Sequence, residues 1–259
     1  MAGDGDVYDR LLERFVDVCR ADGRVVAAFL VGSRVTGTAD AHSDLDLHVV
    51  TRDDDYDEFL ASRESFARLL GEPLLSERFD LPDMLFLIFA DGAEVELQVQ
   101  ALGRLRIDGP HRLLLDKAGN AEALAARAAP PREVDTEDLA RRLPAFWHEV
   151  GHFTTALERG QLVWASGQLD DLRRLCLDLA MILREPPVQP EGYWKADVVL
   201  DPELLDEVRS AIVPPSADHL RAAGHRVLDL YRRLAREAAS RYGLAYPERL
   251  DGVVSSRLG

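Results

Sequence analysis

Lysine is almost missing from this sequence. It occurs only at Lys117 and Lys195, and every other basic residue is arginine. Cysteine is equally scarce: Cys19 and Cys176 fall at apolar-face positions of two separate helix-like segments. They read as buried thiols, which excludes a disulfide framework and a cysteine metal cluster. No run of 18 apolar residues occurs, so no membrane-spanning helix is expected. The opening Met1-Ala2-Gly3-Asp4-Gly5-Asp6 is acidic and lacks the basic and apolar regions of a secretion signal. A cytoplasmic protein is the expectation. Positive charge is also in deficit, with 31 basic against 46 acidic residues and a net charge of −15. A field of that sign repels nucleic-acid phosphates and suits a cationic small molecule, although plain solubility asks for no more.

What is present is a chain of 259 residues, 47% hydrophobic and 30% charged. That is a globular composition, with material for one large core or two modest ones. Val7, Leu11, Leu12, Phe15, Val18 and Cys19 recur at helical spacing and predict a helix over 6–21, with Asp6 as its N-cap. Val25–Val31 and Leu45–Val50 read as strands. The acidic run Asp53 to Glu58 opens a helix reaching about Leu70, where acids suit the positive end of the macrodipole. Met84–Ala90 and Ala93–Gln100 form a hairpin about Asp91-Gly92, and a further strand spans Arg112–Leu115 before a turn at Asp116-Lys117-Ala118-Gly119. Pro130-Pro131 is the candidate linker. Beyond it the periodicity is helical: 135–158, a segment through Leu169–Leu183 that stops at Pro186-Pro187, 201–210 and 218–242. The expectation is an α+β domain over 1–131 followed by an all-α helical bundle over 132–259.

The chemistry concentrates between Val31 and Val50. Asp44 and Asp46 lie two apart on a strand and therefore share a face, while Leu45, Leu47 and Val49 face a core. Adjacent carboxylates repel, and a divalent cation is the usual reason to tolerate that. A polar strand edge is the plain alternative. Gly32-Ser33 forms a turn whose backbone N–H groups can approach an anion closely. On the later strand, Glu94, Glu96 and Gln98 alternate with Val95, Leu97 and Val99. His48 shares the aspartates' face and Arg34 follows the Gly-Ser pair, so both are candidates to touch a nucleotide, against the blander readings of a packed histidine and a surface arginine.

Gly32-Ser33, Asp44-Leu45-Asp46-Leu47 and Val95-Glu96-Leu97, in that order, resemble the nucleotidyltransferase superfamily that includes DNA polymerase beta and the antibiotic nucleotidyltransferases. Leu113-Leu114-Leu115-Asp116-Lys117, Phe146-Trp147-His148-Glu149, Leu169-Asp170-Asp171-Leu172 and Gly192-Tyr193-Trp194-Lys195 are similar to segments of streptomycin 6-adenylyltransferases. The resemblance implies a polymerase-beta-like catalytic domain and a helical substrate-binding domain. It implies Mg²⁺ on Asp44, Asp46 and Glu96, and ATP phosphates near Gly32, Ser33 and Arg34. It also implies transfer of AMP to a hydroxyl of a cationic small molecule, an aminoglycoside first. Within that picture Glu96 is either a metal ligand or the general base. Glu149, Trp147 and His48 are the candidates to meet the acceptor. A toxin-like enzyme acting on protein or tRNA, or a non-catalytic nucleotide-binding module, are the rival readings. A monomer and a homodimer are equally compatible.

Overall fold

The computed structural model describes residues 4–126, 133–184, 192–193 and 196–258. Pro130-Pro131, Pro186-Pro187, Trp194 and Lys195 lie outside them. The chain forms two compact units, Met1–Ala129 and Pro130–Gly259. Among the described residues no helix is long and apolar enough to cross a membrane.

The first unit is built on a six-stranded mixed sheet. Its strands are β1 Val25–Val31, β2 Leu45–Thr51, β3 Pro73–Glu77, β4 Met84–Phe89, β5 Glu94–Ala101 and β6 His111–Asp116, in spatial order β3-β4-β5-β2-β1-β6. β2 and β5 run parallel and every other neighbouring pair is antiparallel. The period-two patterning of β2 and β5 sorts the sheet into two faces. On one, Leu45, Leu47, Val49, Val95, Leu97 and Val99 pack with Phe15 and Cys19 of helix α1 (Asp4–Ala21). Phe59 and Phe66 join them from a second helix over Tyr56–Arg68. On the other, Phe29, Val50, Leu105 and Ile107 form a smaller core with Ala121 and Ala125. α1 begins at Asp4, ahead of Asp6.

Three short elements here escape periodicity. One-turn helix α2 (Ser33–Thr36) stands where the Gly-Ser turn was expected. Edge strand β3 is mostly exposed, so it shows no alternation. Helix α4 spans Ala121–Ala125 (α3 being Tyr56–Arg68). Asp116 and Lys117 serve local structure. The Asp116 carboxylate accepts the N–H groups of Gly119 and Ala121 at 2.7 and 3.1 Å. The Lys117 ammonium donates to the carbonyls of Cys19 and Asp22 at 2.8 and 2.9 Å, at the C-terminal end of α1.

Among the described residues the second unit is built of helices: α5 Thr136–Glu158, α6 Leu162–Ile182, α7 Ala196–Val199, α8 Pro202–Ser210, α9 Ala217–Tyr242 and α10 Glu248–Ser255. Asp135, Asp201 and Ser216 cap α5, α8 and α9 by accepting the N–H three residues on. Apolar faces of α5, α6 and α9 meet around Phe146, Trp147, Phe153, Leu172, Cys176 and Tyr231. A methyl group at Gly224 of α9 would lie 2.5 Å from Cε1 of Phe153, so the close approach of these helices requires glycine there. Short α10, which the sequence pattern does not announce, is fastened by Asp251. That buried carboxylate accepts from both Nε and Nη2 of Arg232 and from the Tyr246 hydroxyl.

Candidate active site

The parallel pairing of β2 with β5 decides the geometry. It sets Asp46 opposite Glu96 in register, with Leu45 opposite Val95 and Leu47 opposite Leu97. Because paired residues share a face, burying the leucines and valines drives both carboxylates to the same side of the sheet. Asp44, just before β2, joins them, and the three groups offer one oxygen each within 4.8 Å of one another. All three are half-buried. Glu94, the competing carboxylate, is exposed and faces Ile88 of β4. The register therefore brings Glu96 to the two aspartates.

Gly32 lies between β1 and α2 at φ +75°, ψ −153°. A methyl on its Cα would fall 2.1 Å from Oδ2 of Asp46. Backbone and carboxylate thus approach at a distance that only glycine permits, and the positive φ adds a second demand for it. Ser33 opens α2, and the Val35 N–H of that turn donates to the Gly32 carbonyl at 3.2 Å. Farther along, the N–H of Thr38 returns to the Ser33 carbonyl at 3.2 Å, and Gly37 closes the turn in the left-handed conformation.

Arg34 reaches the site through the backbone. Its Nε donates to the Asp44 carbonyl at 2.7 Å and its Nη2 to the Ser43 carbonyl at 2.6 Å. Its guanidinium lies 3.6 Å above the ring of Tyr8. Arg34 and Tyr8 together hold the loop that delivers Asp44. Tyr8 carries no sequence signal for this task, since it sits in α1, remote along the chain.

His48 lies on the carboxylate face, two residues past Asp46. Its Nδ1 accepts from Gln100 Nε2 at 3.1 Å, and Gln100 also bonds the backbone of Arg106. Burial, and next the nearby His111, push the His48 imidazole down to about 4. It is a half-buried histidine engaged with Gln100 on the same face as the carboxylates.

The expectation for Trp147 is corrected. It is fully buried in the helical unit, edge-on to Phe146 and Tyr231, because its position on α5 points into the bundle core. It has no surface left for a substrate. Glu149, two residues on, is half-buried on the same helix.

Three clustered carboxylates are hard oxygen donors at a spacing one small ion can bridge, so the donor set fits Mg²⁺ or Mn²⁺. A Gly-Ser turn after one strand, and an acidic triad across the next strand and its parallel neighbour, define the site as that of a nucleotidyltransferase-class enzyme. The family model for streptomycin adenylyltransferase matches residues 7–258, and the chain belongs to that family. Among solved structures, an aminoglycoside 6-adenyltransferase from Bacillus subtilis is similar at 12% identity, with 95% of each chain covered and a TM-score of 0.48. Comparison with curated proteins finds no match.

Proposed function

We propose that this enzyme transfers AMP from ATP to a hydroxyl of an aminoglycoside of the streptomycin type. The carrying observation is the triad of Asp44, Asp46 and Glu96 within 4.8 Å beside the Gly32 turn. Asp44 and Asp46 would hold Mg²⁺, with Glu96 as third ligand or as base for the attacking hydroxyl. The metal, when bound, supplies neutralisation of charge on the triphosphate. The chain's own share is positioning. First-turn amides and the Ser33 hydroxyl meet phosphate oxygens, and Arg34 holds the Asp44 loop. Glu149 is assigned to an amine of the acceptor.

The test is incubation with ATP, Mg²⁺ and streptomycin, followed by detection of adenylylated product and pyrophosphate. No product across a panel of aminoglycosides and lincosamides would sink the acceptor assignment, and label from ATP appearing on protein or tRNA would replace it. Asp46→Asn should lower turnover by roughly two orders of magnitude or more at unchanged circular dichroism, the scale of losing a main electrostatic element. Retained turnover in Asp46→Asn would remove the triad from the chemistry.

A further inference from the structure

In the segment Phe146-Trp147-His148-Glu149, His148 belongs neither to the core nor to the acidic triad. His148 is exposed on α5, and His152 stands one turn along the same face. Their Nε2 atoms lie 3.0 Å apart with the rings nearly perpendicular, 87° between planes. Two ligands bound at about 2.0–2.1 Å to one ion lie roughly 2.9 Å apart at a right angle and roughly 3.3 Å apart in a tetrahedron. The observed separation falls between these limits. His148 is exposed and His152 half-buried, so an ion reaches the pair from solvent without a path cut through the bundle.

We propose that His148 and His152 form a second metal site, chelating one first-row divalent transition ion through both Nε2 atoms. The remaining coordination positions are left to water. Imidazole donors favour Cu²⁺, Ni²⁺ and Zn²⁺ over the hard Mg²⁺ that suits carboxylates, and Cu²⁺ heads the affinity order. The two sites therefore differ in donor chemistry: three carboxylate oxygens in one, two imidazole nitrogens in the other. The inference does not depend on AMP transfer. The ring of Trp164 at the start of α6 lies 6.0 Å from that of His152, which places an optical reporter beside the ion.

The experiment titrates the untagged full chain with CuCl₂, in excess MgCl₂ to occupy the carboxylates. Tryptophan emission and the electron paramagnetic resonance spectrum are recorded. One equivalent should quench the emission and give hyperfine structure from two nitrogen ligands. His148→Gln and His152→Gln should each weaken Cu²⁺ binding at least about tenfold, equal to 1.4 kcal/mol. They should leave circular dichroism and AMP transfer unchanged, since His148 is exposed, His152 is half-buried and neither belongs to the bundle core. Asp46→Asn should keep the Cu²⁺ site intact, which separates it from the carboxylate triad. Equal Cu²⁺ affinity in the wild type and both histidine variants, or a spectrum without two-nitrogen coupling, overturns the proposal.

Discussion

At the scale of single residues, Gly32 combines two constraints that usually occur apart. Its backbone at φ +75°, ψ −153° is essentially open to glycine alone and costs another residue about 1–3 kcal/mol, and its missing side chain makes room for the Asp46 carboxylate. Gly32→Ala should therefore displace the ligand it was not aimed at. The expectation is a loss of kcat/KM of roughly a hundredfold, near 2.7 kcal/mol, with only a modest fall in Tm. Normal Mg²⁺ dependence in that variant would show that the close approach does not orient Asp46. His48 gives a pH prediction. Its folded pKa, pushed to about 4, lies below the ordinary histidine value of about 6.5. The unfolded chain then binds the extra proton, so this group's stabilisation is full above about pH 6.5 and is lost as pH falls toward 4. Chemical denaturation between pH 7 and 4.5 should show a steeper decline for wild type than for His48→Gln, and parallel curves would refute it. The carboxylates were legible because a strand's period of two places Asp44 and Asp46 on one face whatever surrounds them. Trp147 was not, since a helix-periodic aromatic looks alike whether it faces core or ligand.

The elements that position the site differ in how they could be foreseen. β1, β2, β4, β5 and β6 carry continuous or alternating apolar runs, and each was readable within one or two residues. β3 was not, because an edge strand with exposed Leu74 has no buried face to impose a pattern. Nor was the parallel pairing of β2 with β5, which no local signal specifies and on which the meeting of Asp46 with Glu96 depends. The loop before β2 hangs on Arg34, whose planar fork serves two consecutive carbonyls while its face rests on Tyr8. An ammonium cannot reproduce that fork. Arg34→Lys should therefore weaken activation by Mg²⁺ roughly tenfold, consistent with loss of a charge-assisted hydrogen bond worth about 1.5–3 kcal/mol. The midpoint of a Mg²⁺ titration of turnover measures this. An unshifted midpoint would mean that Asp44 is held by other contacts.

On the scale of the whole molecule, each unit carries its own core, and the change from strand to helix periodicity near residue 130 is visible in the sequence because it is a property of hydrophobic pattern alone. Net charge is the other whole-chain property, and it acts on the two proposed substrates with opposite sign. A field from −15 charges attracts a polycationic aminoglycoside and opposes anionic ATP. Screening shortens from about 10 Å at 0.1 M salt to about 3 Å at 1 M, so both effects fade together. Raising NaCl from 0.05 to 0.5 M should then raise KM for the acceptor several-fold, while KM for ATP stays level or falls. Glu149→Gln should raise the acceptor KM at low salt and flatten its salt dependence, leaving the ATP curve in place. Two KM values that climb in parallel would mean that salt acts on a shared step, and the acidic surface would then have no part in selecting a cationic acceptor.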